Sequence, residues 1–159
     1  MPTLRLSTAI AAPVETCFDL SRSIDLHLES MLASRERAVA GVTSGLIGPG
    51  QWVSWEAHHL GVRWRMTSQI TEFDRPARFV DEMVRGPFAA FRHEHRFAPD
   101  GEGTLMTDVV DVRMGLGPLG PAADVFAAAY LRRLLRMRNA TLRARAETAR
   151  GHPGGADVR

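Results

Sequence analysis

The stretch Gln51 to Ile70, QWVSWEAHHLGVRWRMTSQI, decides the fold. Val53, Trp55, Ala57 and His59 alternate with Trp52, Ser54, Glu56 and His58. After Leu60-Gly61, the residues Val62, Trp64, Met66, Ser68 and Ile70 alternate with Arg63, Arg65, Thr67 and Gln69. A period of two over consecutive runs marks half-buried strands. Folding about Leu60-Gly61 sets Ala57 against Trp64 and Trp55 against Met66 on one face, and Glu56 against Arg65 on the other. A single register joins apolar partners inside and opposite charges outside, so the segment reads as an antiparallel hairpin with one face toward a core.

Toward the N-terminus, Leu4, Leu6, Thr8 and Ile10 share one face of a further strand, Thr3 to Ile10. Pro13 suits the start of a short helix, with Val14, Cys17, Phe18 and Leu20 on its inner side. A second short helix is expected from Ser23 to Leu32, and an edge strand from Arg35 to Val42. The glycines and proline of Gly45 to Gly50 mark a loop. They lack the lysine and spacing of a phosphate-binding loop.

Toward the C-terminus, Arg78 to Arg85 is a strand whose phase is open. Either Phe79, Asp81 and Met83 face inward, or Val80, Glu82 and Val84 do. Phe91, His93, His95 and Phe97 share one face of the next strand. Turning through a four-residue loop, Pro99 to Glu102, sets His95 opposite Met106, His93 opposite Asp108 and Phe91 opposite Val110. Gly115 to Pro121 is a break. A long helix then spans Ala122 to Ala149, with Val125, Phe126, Ala129, Tyr130, Leu134, Met137, Thr141 and Ala144 on its apolar side. Residues 151–159 read as a disordered tail, which leaves one domain over residues 1–150.

The class is α+β: a curved antiparallel sheet of six to seven strands wrapped around a long C-terminal helix, with two short helices after the first strand. A sheet curled around a helix leaves space between them, and wide side chains line it. The 159 residues, 45% hydrophobic and 24% charged, suffice for a core without metal or disulfide. The single cysteine, Cys17, excludes an internal disulfide and reads as a small buried hydrophobe. A net charge of +2 is too small to point to nucleic acid. No stretch approaches the ~20 apolar residues that span a bilayer, and no signal peptide is visible, so a cytoplasmic protein is expected. All basic residues are arginine. Seven of them, from Arg132 to Arg150, are spread around the last helix and read as a solvated surface.

That order of elements resembles the START-like superfamily, the SRPBCC or polyketide cyclase/dehydrase group with the helix-grip fold. The resemblance is carried by Ile10-Ala11-Ala12-Pro13-Val14-Glu15 with Phe18-Asp19-Leu20, by the hairpin from Val53 to Ile70, by Gly86-Pro87-Phe88 before Phe91 to Phe97, and by Gly103 to Asp108. It is similar in particular to a bacterial branch of ligand-binding proteins. The resemblance implies a cavity between sheet and C-terminal helix that receives a lipid, polyketide or similar apolar molecule. Some members of the group are cyclases or aromatases, and others only bind or carry.

Trp55, Trp64, Met66, Phe91, Phe126 and Tyr130 are the apolar and aromatic candidates to line such a cavity, with His59 at its mouth. His93, His95 and Asp108 are its polar candidates. A His93–Asp108 pair suits general acid/base work in a cyclase, aromatase or dehydratase. The same pair also serves simply to satisfy two buried polar groups. His93-x-His95 can supply two metal ligands, with Asp108 as a third, but the spacing alone is a weak signal, since any strand sets alternate residues on one face, and neither metal nor cofactor is expected. Binding of an apolar small molecule by a monomer or homodimer is the first functional expectation. Enzymatic cyclisation is the second, and partner binding through the arginine-rich helix is the third.

Overall fold

The computed structural model describes residues 3–150, so the expected tail lies outside the described residues. Seven strands form one antiparallel sheet: β1 (Thr3–Ile10), β2 (Arg37–Gly41), β3 (Trp52–His59), β4 (Val62–Asp74), β5 (Arg78–Arg85), β6 (Ala90–Asp100) and β7 (Gly103–Arg113). Their spatial order is β1-β7-β6-β5-β4-β3-β2, so the first two strands occupy opposite edges. Two short helices, α1 (Val14–Ser21) and α2 (Ile24–Ser30), carry the chain between those edges, followed by one tight turn at Leu32–Ser34. The long helix α3 (Gly120–Arg150) packs against β1, β7 and both short helices. This is the helix-grip arrangement.

Local chemistry explains most boundaries. Pro13 stands at the N-cap of α1. At the start of α2 the Ser23 hydroxyl accepts from the Leu26 backbone N–H, satisfying one of the free donors of the first turn. The β3–β4 hairpin turns on Leu60 and Gly61, both at positive φ (52° and 76°), the left-handed pair that a two-residue turn between twisted strands requires. Its register pairs Ala57 with Trp64, Trp55 with Met66 and Glu56 with Arg65.

The β6–β7 hairpin corrects the expected register. Pairing continues through Asp100 and Gly103, so Gly101-Glu102 alone make the turn, and His95 faces Asp108 instead of Met106. His93 faces Val110 and Phe91 faces Val112. A shift of two residues leaves every side chain on its face, so the alternation pattern cannot distinguish the two registers. Gly101, at φ +57°, permits the tighter turn.

In β5 the phase resolves with Phe79 and Asp81 inward. Phe79 pairs with His95 and Asp81 with His93. Val80, on the outer face, is nevertheless fully buried. It lies beneath a lattice in which Arg78 pairs with Glu72 and Glu94, while Arg92 and Arg96 also reach Glu94. Long arginine stems cover apolar surface while their heads stay wet.

The apolar side of α3 also differs from expectation. Ala127, Leu135, Arg138, Asn139, Leu142 and Ala146 are buried, whereas Val125, Phe126 and Met137 are exposed. Arg138 is therefore an exception to the solvated arginines of this helix. The helix turns its Arg138–Asn139 pair toward a carboxylate on β7. Leaving that buried charge unpaired would cost more than exposing these three apolar side chains.

Candidate functional site

A cavity of about 260 Å³ lies between the inner face of the sheet and α3. Trp55, Trp64 and Met66 from the β3–β4 hairpin form one wall. Phe91, His93 and His95 rise from β6, and Phe126 and Tyr130 descend from α3. Leu60 and Phe126 also line it and are 64% and 60% exposed, so they stand at its opening. His59 lies beside them. Its Nδ1 shares a hydrogen bond with the Tyr130 hydroxyl at 3.1 Å, tying the hairpin tip to the helix. Asp108 does not reach the cavity. It is fully buried behind the two histidines.

The polar end of the cavity is built by register. On the inner face Asp81 stands opposite His93, and Asp108 stands opposite His95. The short contacts run diagonally: His95 Nε2 lies 2.9 Å from Asp81 Oδ2, and His93 Nε2 lies 2.9 Å from Asp108 Oδ1. The imidazoles stack, with ring centroids 3.8 Å apart. His93 Nδ1 lies 3.8 Å from Asp81, and His95 Nδ1 lies 3.3 Å from Asp108 but too far out of line to hydrogen-bond. Two imidazoles are thus held between two carboxylates. From α3, Asn139 donates to Asp108 Oδ2 at 2.6 Å, and Arg138 Nη1 lies 3.6 Å from Asp108 Oδ1. Arg138 also donates to the Ser21 carbonyl at 3.0 Å.

These contacts set the charges. Burial pushes the Asp108 carboxyl up, but its contacts with His93 and His95 and the Arg138 charge outweigh burial and hold it well below the usual range. Asp81 is lowered in the same way, with burial opposed by its His95 hydrogen bond and the nearby histidine charges. Burial, aided by the neighbouring His95, lowers the pKa of His93 and favours its neutral form.

A second polar group lies elsewhere on the cavity wall. Glu36 accepts from His27 Nε2 at 2.9 Å, and the His27 ring lies over Trp55. Burial raises Glu36, but the charge and hydrogen bond of His27 outweigh it and leave the carboxyl lowered. Ser68 also lines the cavity, with its hydroxyl buried and without a hydrogen-bond partner.

Asp81, Arg138, Glu36, His27 and Ser68 are absent from the sequence-derived candidates. Asp81 has a signal, as an acid in one of two open phases of β5. Arg138 has another, set three residues after Leu135 and four before Leu142. The pairing of His27 with Glu36 joins two segments whose approach no local pattern encodes.

His59 yields a pH prediction. Burial lowers its pKa below the ordinary value near 6.5, while Glu36 opposes this and His58 adds to it. Between the folded value and about 6.5 the unfolded chain binds more protons. Stability from this group is therefore complete above about pH 6.5 and falls as pH drops below it. Urea midpoints should decline from pH 7.5 to 5.5, and His59→Gln should flatten that slope. An identical slope in the variant would contradict the assignment.

A curved antiparallel sheet closed by one long helix over an apolar cavity with a buried polar end defines a helix-grip protein of the START-like kind. The chain belongs to the polyketide cyclase / dehydrase and lipid transport family, whose model matches residues 1–147. No protein of curated function is significantly similar in sequence. Among solved structures, the fold is similar to the protein TTHA0849 from Thermus thermophilus (TM-score 0.76, 19% identity, covering 93% of this chain and 99% of that one). It is also similar to a START superfamily protein from Mycobacterium smegmatis (0.69, 16%, covering 92% and 98%). The major latex-like protein 151 from Panax ginseng is a third relative in fold (0.67, 17%, covering 91% and 97%).

Proposed function

We propose that the protein binds a compact apolar molecule bearing a polar group, with the apolar body against Trp55, Trp64 and Phe91 and the polar group toward Ser68, His95 and Arg138. The observation that carries this reading is a largely apolar cavity on whose wall a buried polar atom, Ser68 Oγ, lacks a partner. Buried polar atoms are nearly always satisfied, and a ligand oxygen or nitrogen is a fitting partner. The cavity lies near the small end of the range for small-molecule sites, which favours a ring-bearing molecule over a long-chain lipid. The reading takes the chain as a cytoplasmic monomer or homodimer. No described helix is long and apolar enough to cross a membrane.

Native mass spectrometry of freshly purified protein, followed by denaturing extraction, tests the reading by identifying what is carried. Ala127, buried on α3, lines the cavity. Ala127→Phe should place a ring in that space and weaken binding of the extracted molecule by tenfold or more, about 1.4 kcal/mol. Undiminished binding in the folded variant would place the ligand elsewhere.

A second reading is a cyclase or dehydratase. It is favoured by His93, which lines the cavity in a neutral-leaning state with a carboxylate behind it. His93 would move the proton and Asp108 would orient the ring. Unchanged turnover of an identified substrate in both His93→Ala and Asp108→Asn would exclude it.

A further inference from the structure

Two imidazoles and two carboxylates meet at the polar end of the cavity, and only two of their four close contacts are hydrogen bonds: His93 Nε2 with Asp108 and His95 Nε2 with Asp81, each at 2.9 Å. His93 Nδ1 stands 3.8 Å from Asp81 without a hydrogen bond, and His95 Nδ1 is buried without a partner. Buried polar atoms are nearly always satisfied. A cation beside Asp81 would engage both nitrogens that face it.

The geometry suits one. His93 Nδ1, His95 Nε2 and an Asp81 oxygen all lie within 4.8 Å of one another, with both nitrogens directed at the same oxygen, 3.8 and 2.9 Å away. Ligands at about 2.0–2.2 Å from a tetrahedral zinc ion stand roughly 3.3–3.5 Å apart, so modest side-chain adjustment closes the site. With a metal bound, His95 Nδ1 carries the ring proton and is free to turn it to Asp108, 3.3 Å away, which gives this orphaned atom its partner. Asp108, itself held by Asn139, then supports both ligating rings from behind, as outer carboxylates do at histidine metal sites.

We propose that Asp81, His93 and His95 form a site for a first-row divalent metal ion of the zinc type, with a coordination position open to the cavity. Two imidazoles with one carboxylate favour zinc and its neighbours over magnesium or calcium. All three ligands line the cavity and Asp108 does not, so the remaining position faces the cavity's contents. A metal there would accept an oxygen of a bound molecule and polarise it. Arg138 lies near Asp108 and is engaged by Asn139 and Ser21. The proposal is independent of which organic ligand the cavity takes.

The test is titration of chelator-treated full-length protein with zinc chloride, and separately with cobalt chloride, with no organic ligand present. Calorimetry should give one ion per chain, and the cobalt form should show the intense visible bands of a four-coordinate site. Asp81→Asn, checked for folding by circular dichroism, should weaken zinc binding by about tenfold or more. His58→Ala, an exposed histidine on β3, should leave binding unchanged. Absence of stoichiometric binding by wild-type protein would overturn the site, as would binding that His58→Ala removes and Asp81→Asn does not. Should Asp81→Asn fail to fold, the wild-type cobalt spectrum decides alone: weak octahedral bands would refute the proposal. Each of these results stands whether or not an apolar molecule is later found in the cavity.

Discussion

Replacing Asp108 by alanine is expected to cost about 3–5 kcal/mol of folding stability. The carboxylate is fully buried and joins three elements: His93 and His95 on β6, its own strand β7, and Arg138 with Asn139 on α3. Its removal leaves the Arg138 guanidinium buried, with only the Asn139 side chain and the Ser21 carbonyl as hydrogen-bond partners. An uncompensated buried charge, more than the lost contacts, sets the cost. Domains are stable by only about 5–15 kcal/mol, so the variant should sit near the edge of folding at room temperature. Asp108→Asn keeps the shape and one acceptor, and should lose less. Asp108→Leu combined with Arg138→Met removes both charges and should recover part of the deficit. Urea unfolding followed by circular dichroism measures all three. A loss below about 1 kcal/mol in Asp108→Ala would show that the cluster is not a structural pin.

The second large effect belongs to Phe18. Phe18→Ala should destabilise by about 3–5 kcal/mol, the usual range for emptying a buried phenylalanine site. Phe18 is fully buried on α1, and its ring meets Phe73, Phe79 and Phe97 edge-on, with centroids 5.3, 5.3 and 5.4 Å away. Those partners come from β4, β5 and β6, so one side chain fastens the first helix to the middle of the sheet. Edge-to-face pairs add about 0.5–1.5 kcal/mol each beyond area burial. Phe18→Leu retains much of the volume but loses the ring edges, and should fall between wild type and alanine. Thermal unfolding resolves the series, since each kcal/mol moves the midpoint by about 2–4 °C in a chain of this size. Because Phe79 also lines the cavity, Phe18→Ala should loosen the cavity wall as well. If both variants melted with the wild type, the aromatic cluster would not be what holds α1 to the sheet.

The sequence is most legible where two constraints coincide. The β3–β4 register follows from apolar pairing on one face and the Glu56–Arg65 pairing on the other, and slipping it would break both. The β6–β7 hairpin offers only alternation, which survives a shift of two residues, and the expected register is off by that amount. The short helix α1 is legible from Pro13 with Cys17 and Phe18 behind it. The buried side of α3 is not, because apolar periodicity assumes an oily partner. Here the partner is Asp108, and it draws Arg138 and Asn139 inward while Phe126 turns out to the cavity mouth.

What the sequence determines by itself is the container: strand alternation, turn chemistry and a long terminal helix suffice for a curved sheet gripping a helix, because each is a local periodicity. It also supplies His93 and His95 on one face of one strand. Only the tertiary structure decides what they meet. Asp81 enters by the phase of β5, Asp108 by a two-residue register choice, and Arg138 by the rotation of α3. All three choices are settled by pairing between segments distant in sequence, where the cost of an unpartnered buried charge outweighs local preference.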